Sequence, residues 1–393
     1  MNSIGKRREI QTEFRERWRR TTRTFVETVK SPDAEKIHPR GLTFLRDTEK
    51  VRIVDPICDS GWDQIVSTHP DGNVFHRSAW ARVLGKTYGH RPLYLELSQG
   101  GEPAVLLPLM EVASRFTGKR GVCLPFSDSC GPLMFSQLGQ MSLIETLVKL
   151  GRDRKWRYFE LRGGREMLSP SAVAAERYYG HKLDLSIGVE QLFARFQSPV
   201  RRAIRKGEKS GLVVEASDTR QAMLNFYELH VRTRRRHGLP PQPLSFFLNI
   251  HEEIIRAGLG FVVLAQRATK SIAAAVFFFS RQAGLYKFGA SDERDQALRG
   301  NNLVMWEGIK RLIGSGVKML HFGRTSIDDD GLRRFKLSWG AGEETIEYFK
   351  FALGRNLWVN GCRNERVFHR GLFRRLPLRV NRFAGALVYP HLD

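Results

Sequence analysis

One order of elements runs twice along this 393-residue chain: strand, two helices, three strands, helix, strand. In the first pass Val51–Val54 reads as a strand and Ser60–Ser67 and Arg77–Thr87 as helices. Arg91–Val112 reads as a hairpin turning at SQGGEP, and Gly121–Phe135 as irregular to strand-like. Ser142–Leu150 is a helix with Ser142 as cap and Glu145 completing a capping box, followed by a strand at Arg157–Leu161. After a joining strand at Tyr178–Ser186 and a helical stretch at Gly188–Gly211, broken at Pro199, the order begins again. Val213–Ala216 is a strand, and Thr219–Gly238 and Leu244–Ala257 are helices. Phe261–Gln266, Ser271–Ser280 and Leu285–Gly289 are strands, Asn302–Ile313 is a helix and Met319–Phe322 a strand. Glu343–Ala352 then closes the second sheet. Element order repeats here, not residue identity. It predicts an α/β chain of two similar tandem domains, each a mixed sheet with helices on its faces. The boundaries are a basic helix or linker at 1–50, domains at 51–187 and 188–353, and a basic-apolar tail at 354–393.

The second half holds the most informative stretch, Leu285–Trp339. A short apolar strand stops at Gly289, and a polar loop runs to Gly300. Asn301 or Asn302 is placed to cap the next helix, where Leu303, Trp306, Ile309 and Ile313 recur at helical spacing. In a strand–loop–helix unit the helix N-terminus gathers unpaired N–H groups and partial positive charge, a seat for phosphate or carboxylate.

Charge narrows the partners. Lys and Arg number 64 against 41 Asp and Glu, a net charge of +23. Arginine dominates, which suits bidentate contact with phosphate. Arg201, Arg202, Arg205, Lys206 and Lys209 form the densest group. On a helix Arg201 and Arg205 share one face, and Arg202, Lys206 and Lys209 another, so mutual repulsion favours a bound phosphate. The longest apolar run, Ile272–Phe279, fits a buried strand and is too short to span a bilayer. The N-terminus carries no signal-peptide pattern, and scattered Cys58, Cys123, Cys130 and Cys362 point to reduced cytosolic thiols. Neither H-x-x-H nor paired Cys/His spacing supports zinc, and no metal is expected. In the tail, LFRRLPLRVNRFAGALVYP mixes arginine with apolar residues, as a membrane surface or an acidic partner would require.

The tandem order, together with RRAIRKGEKSG, LYKFGASD, GNNLVMWEGIK, HFGRT and GLRRFKLSWGA, resembles the Fem-type branch of the GNAT acyltransferase superfamily. That branch includes peptidyltransferases that build peptidoglycan cross-bridges, and acetyltransferase-like relatives from exopolysaccharide and exosortase gene neighbourhoods. The resemblance covers about Val51–Leu387 and is strongest in Ser198–Ala352. It implies two GNAT-like domains facing one cleft. The activity implied is transfer of an acyl or aminoacyl group to an amine of a cell-envelope or exopolysaccharide precursor, nucleotide- or lipid-linked. The implied setting is cytoplasmic, with the inner face of the plasma membrane as a peripheral station.

Acetyl-coenzyme A and aminoacyl-tRNA are the rival donors. Family members that use tRNA commonly carry a long coiled-coil arm, for which Gln191–Glu208 and Thr219–Gly238 leave no room, so tRNA is the less favoured. The loop RDQALRGNN also departs from the coenzyme A pattern Q/R-x-x-G-x-G/A: Arg294 and Gln296 are present, but the spacing to Gly300 is wrong.

Amide formation needs a stabilised oxyanion and a proton donor for the leaving group, not a triad. Lys336 lies at the position resembling the family's FK motif, where a lysine is implicated in transfer, and Arg324 follows a strand at a sheet end. These two are the catalytic candidates. Arg201, Arg202, Arg205, Lys206, Lys209, Asn301, Asn302 and Trp306 are the substrate- and phosphate-binding candidates. For Lys336 the plain alternative is a solvated lysine, for the asparagines simple capping, and for Trp306 a place in the core. Asp328, Asp329 and Asp330 read as an exposed acidic loop. The competing function is a non-enzymatic basic module binding RNA or an anionic membrane, although the arginines are not interleaved with the aromatic platform of an RNA-binding motif.

Overall fold

The computed structural model describes residues 49–136, 140–361 and 370–392. Of the expected basic helix or linker at 1–50, residues 1–48 lie outside them, as does Cys362. The first half supplies β1 (Glu49–Val54), α1 (Trp62–Thr68), α2 (Ser78–Tyr88), β2 (Arg91–Pro92), β3 (Tyr94–Gln99) and β4 (Glu102–Leu107). It continues with β5 (Met110–Ser114), β6 (Gly118–Val122), β7 (Leu133–Met134), α3 (Gln140–Asp153), β8 (Tyr158–Arg162) and β9 (Glu176–Asp184). The second half supplies α4 (Val189–Arg195), α5 (Ser198–Glu208), β10 (Val213–Ser217), α6 (Arg220–Arg236), α7 (Leu244–Ile250), β11 (Gly260–Arg267) and β12 (Lys270–Ser280). Then come β13 (Ala283–Ser291), α8 (Gly300–Gly314), β14 (Met319–His321), β15 (Thr325–Ser326), α9 (Asp330–Leu337), β16 (Gly342–Ala352) and β17 (Leu357–Trp358). The tail forms α10 (Arg370–Arg375) and α11 (Leu378–Val388).

The helices fall in the expected order, but the first half has six strands, β2 to β7, between α2 and α3 where three were expected, and the strands are shared differently. A small sheet runs β1-β3-β4-β7, and a sheet of thirteen strands runs through both halves along β10-β11-β12-β13-β14-β9-β16-β8-β6-β5-β2. The expected single hairpin at Arg91–Val112 is split between them. Its inner arms β3 and β4 pair in the small sheet, and its outer ends β2 and β5 pair in the large one. Pro108, which has no N–H to give a ladder, sits at the corner between β4 and β5. Ser142 lies inside α3 rather than capping it, since that helix already includes Gln140.

β16 was expected to close the second sheet. It lies instead between β9 and β8, pairing Thr345 with Tyr179 on one side and Phe349 with Leu161 on the other. Its C-terminal half, Tyr348–Phe351, is buried on both faces. β9 in turn pairs with β14 of the second half. Each half thus contributes a strand to the seam, and the two repeats share one continuous sheet.

The sheet divides the apolar residues by parity. Successive strand side chains point to opposite faces. Phe261 and Val263 of β11, with Ala273, Ala275 and Phe277 of β12, pack under α4, α5 and α8. Val262 and Leu264, with Ala274, Val276 and Phe278, pack under α6, α7 and the first half. Leu303, Trp306, Ile309 and Leu312 of α8 fill the first of these cores. Gly308 lets α8 settle on the sheet, since a Cβ there would lie 2.2 Å from the ring of Phe277. Gly308→Ala should therefore lower the unfolding free energy by about 1–3 kcal/mol, despite alanine's better helix propensity. Urea unfolding with an unchanged slope is the measurement that checks it.

Candidate active site

The seam between the halves carries a dense polar cluster. Gly323, just past β14, has φ +72°, a left-handed conformation that glycine tolerates best. A Cβ on it would meet Asp128 at 3.3 Å, so glycine also leaves room for that carboxylate to approach. Lys336, on α9, points back into this turn. Its Nζ donates to the carbonyl oxygens of Gly323 at 2.8 Å and Arg324 at 3.1 Å, and the residue is only 2 % exposed. It is not a solvated lysine. Burial pulls its ammonium down to about pH 8, against the pull of Asp128 and Asp329. At neutral pH it is a cation that gives up its proton readily.

Arg324 lies beside it. Its Nη1 donates to the Tyr348 hydroxyl at 2.8 Å, and the guanidinium sits over the rings of Tyr178 at 4.5 Å and Tyr348 at 5.2 Å. The Tyr348 hydroxyl donates in turn to the backbone oxygen of Asp128 at 2.7 Å. Asp128 belongs to the first half, in the segment between β6 and β7, where Leu124 and Phe126 adopt positive φ. Arg162 pins that segment by donating to the carbonyls of Leu124 and Ser127, and Glu160 holds Arg162 at 3.0 Å. Lys287, on β13, donates to Asp128 at 3.0 Å and to the Phe126 carbonyl at 2.7 Å. Burial works against the Asp128 charge, but Lys287 and Arg324 hold its carboxyl below the usual range. Burial likewise pushes the Lys287 ammonium down, against the pull of Asp128. Three cations, Lys287, Arg324 and Lys336, thus converge near one carboxylate. Such a group can stabilise an oxyanion or hold an anionic substrate.

The other candidates stand apart from this cluster. Arg202, Arg205, Lys206 and Lys209 line an open depression of about 530 Å³ with Ser210. The grouping differs from the expected pairing of faces: Arg205 joins Arg202, Lys206 and Lys209, while Arg201 is half-buried outside the depression. The guanidinium of Arg205 lies 5.7 Å from the ring centre of Phe193. Gly207 packs on Leu303 and Ser210 reaches the Leu298 carbonyl at 3.4 Å, so the depression adjoins the entry to α8.

At that entry the asparagines are not caps. The N-cap position belongs to Arg299, in the left-handed region at φ 59°, and Asn301 and Asn302 lie within the first turn. Asn301 Nδ2 donates to Ser291 Oγ at 3.3 Å. Arg294 is turned away, paired through two nitrogens with Asp292 at 2.7 and 3.0 Å. Trp306 is a core residue, not a binding platform: it is 6 % exposed and packs against Phe193 and Phe196. Asp329 caps α9 by accepting from Leu332 N–H.

Sequence reasoning missed Asp128, Lys287, Tyr178 and Tyr348. Lys287 did carry a signal, a lone cation in the apolar run LYKFG. Asp128 carried none.

Residues 194–337 match the family described as the acetyltransferase (GNAT) domain. Among solved structures, FemX superposes with a TM-score of 0.60 at 15% identity, covering 76% of this chain and 96% of FemX. A conserved protein of unknown function from Bacteroides thetaiotaomicron VPI-5482 superposes at 0.51 with 10% identity, over 77% of this chain and 99% of its own. Residues 194–337 form an acetyltransferase (GNAT) domain, and the chain as a whole has the fold of FemX. A search of curated proteins returns no match. The matched segment runs from the end of α4 through α9, so it includes Lys287, Arg324 and Lys336. Asp128 and Tyr348 lie outside it and reach the cluster through the shared sheet. No helix among the described residues is long and apolar enough to cross a membrane.

Lys336 gives the protein a testable pH signature. An unfolded lysine titrates near its ordinary 10.5, while the folded one does so near 8. Below pH 8 both states hold the proton and the burial penalty is fully present. Between 8 and 10.5 the folded state releases its proton first, so stability rises with pH. Relative to Lys336→Met, the wild type should gain on the order of 3 kcal/mol across that window. Urea unfolding of both proteins from pH 7 to 10.5 measures it.

Proposed function

We propose that this acyltransferase forms an amide on an amine of a cell-envelope or exopolysaccharide precursor, nucleotide- or lipid-linked. The observation that carries the reading is the convergence of Lys287, Arg324 and Lys336 on Asp128 at the seam between the repeats. The acceptor class rests on the resemblance of the sequence motifs to Fem-type enzymes.

The amine's lone pair attacks the donor's acyl carbon, forming the C–N bond and pushing electrons onto the carbonyl oxygen. Arg324 and Lys336 stabilise that oxyanion. Collapse breaks the bond to the leaving sulfur or oxygen, which departs with its electron pair. The proton shed by the nitrogen passes to it through Lys336, whose titration near pH 8 suits both giving and receiving it. Asp128 fixes Lys287 and offsets the positive charge that develops on the nitrogen as the C–N bond forms.

The donor bears phosphate. Arg202, Arg205, Lys206 and Lys209 supply a cationic depression beside the entry to α8, with Arg201 adding to the local field. Acetyl-coenzyme A is the favoured donor over aminoacyl-tRNA, because α6 packs on the sheet as part of the body rather than standing off as an arm. The site of action is the cytoplasm, at the inner face of the plasma membrane.

Two measurements test this reading. With either donor and a panel of amino-sugar and peptide amines, Lys336→Met should lower kcat/KM by about 10²–10⁴-fold while donor binding by calorimetry persists. Unchanged turnover removes Lys336 from the mechanism. Arg205→Glu with Lys206→Glu should instead raise the donor's KM by about tenfold or more and flatten its salt dependence, leaving kcat near wild type. An unaffected KM would place the donor elsewhere.

A further inference from the structure

Helix α11 is satisfied on one face and bare on the other. Asn381, Gly385 and Val388 are buried at helical spacing. Gly385 sits so close to the body that a Cβ would lie 1.9 Å from the Pro241 carbonyl oxygen. Arg234 donates to the Tyr389 hydroxyl at 2.7 Å, and Arg120 donates to the His391 carbonyl at 2.9 Å, fastening the helix end. The opposite side carries Val380, Phe383 and Leu387, exposed by 46, 57 and 48 %. Their spacing of three and then four residues makes one ridge. Folding gives no reason for it, since the helix already has a buried face.

The surroundings of the ridge are cationic. Arg379 and Arg382 are exposed on the same helix, and Arg374 and Arg375 are exposed on α10 just before it. From Arg366 to Leu392 the sequence holds no acidic residue. A second element joins the patch from far away in sequence. At the β5–β6 turn Phe116 is 41 % exposed and packs edge-on against His391, with ring centres 4.7 Å apart. Arg115 and Lys119 are exposed beside it.

We infer that α11, together with the Arg115–Lys119 turn, docks this acyltransferase on an anionic lipid surface. An apolar ridge flanked by arginines matches the boundary between acyl chains and anionic headgroups, where the ridge is buried and the guanidiniums meet phosphate. A nucleic acid would engage the arginines but leave valine and leucine in water, since its bases stack on aromatic rings. The inference deepens the reading of the chain as a membrane-proximal transferase and rests on it for its purpose, while its geometry is separate from the catalytic cluster.

The test uses the full chain and sedimentation with vesicles of phosphatidylcholine alone or mixed with phosphatidylglycerol. Wild type should bind the mixed vesicles and not the neutral ones. Val380→Ser, Phe383→Ser and Leu387→Ser combined should lower partitioning by about tenfold or more, with an unchanged thermal unfolding midpoint because all three side chains face solvent. Equal binding by this triple variant would mean that net charge alone is at work and would overturn the proposal, as would failure of the wild type to bind. Lys336→Met should bind vesicles like wild type. Loss of turnover in Lys336→Met without any vesicle binding would defeat the docking surface and leave the transferase reading standing. Ridge-dependent binding with turnover unaffected by Lys336→Met would do the reverse.

Discussion

The placement of β16 between β9 and β8 is the constraint on which the rest depends. Had that strand closed its own half, the repeats would be two sheets with a cleft between them. Instead Tyr348 sits opposite Arg162 in a shared ladder. Its hydroxyl joins Arg324 of the second half to the Asp128 backbone of the first. The backbone ladder fixes these groups more firmly than side-chain contacts across a domain boundary would, because moving one half means breaking consecutive strand hydrogen bonds.

That rigidity is what makes a buried cationic cluster tolerable. Lysines and arginines resist desolvation, and an unpaired buried charge is strongly destabilising. Here the charges are satisfied by fixed dipoles and rings: Lys336 by two carbonyls, Lys287 by a carbonyl and Asp128, Arg324 by a phenol and two aromatic faces. The arrangement still holds more positive than negative charge, which suits a reaction that passes through an oxyanion. Preorganised groups of this kind need little rearrangement as charge develops.

The basic character of the chain resolves into separate surfaces. One lies on α5, where four cations face a depression beside the start of α8. Another lies on the tail, where arginines flank an apolar ridge. A third, much smaller group is buried at the seam. Under the proposed function the donor, the lipid surface and the reacting acyl group each meet a distinct one.

Periodicity in the sequence determined the elements and their repeated order, because alternation and helical spacing are local properties of Phe261–Gln266, Ile272–Phe279 or Leu303–Ile313. The cations of α5 were legible as a cluster, but which of them share the depression was not, since Arg205 joins Arg202, Lys206 and Lys209 while Arg201 stands outside. Lys336 and Arg324 were readable through short motifs. What lay beyond the sequence depends on contacts between distant residues. Asp128 sits in an irregular segment with no period, and the run of pairings from β6 through β8, β16, β9 and β14 to β13 brings it to Lys287, 159 positions away. Trp306 looks like a binding residue until packing puts it in the core, and Asn301 looks like a cap until the helix is seen to start at Arg299. The sequence alone determined which local structures form and where charge accumulates. Tertiary structure decided which charges meet, because strand partnership is a long-range choice that local propensity does not encode.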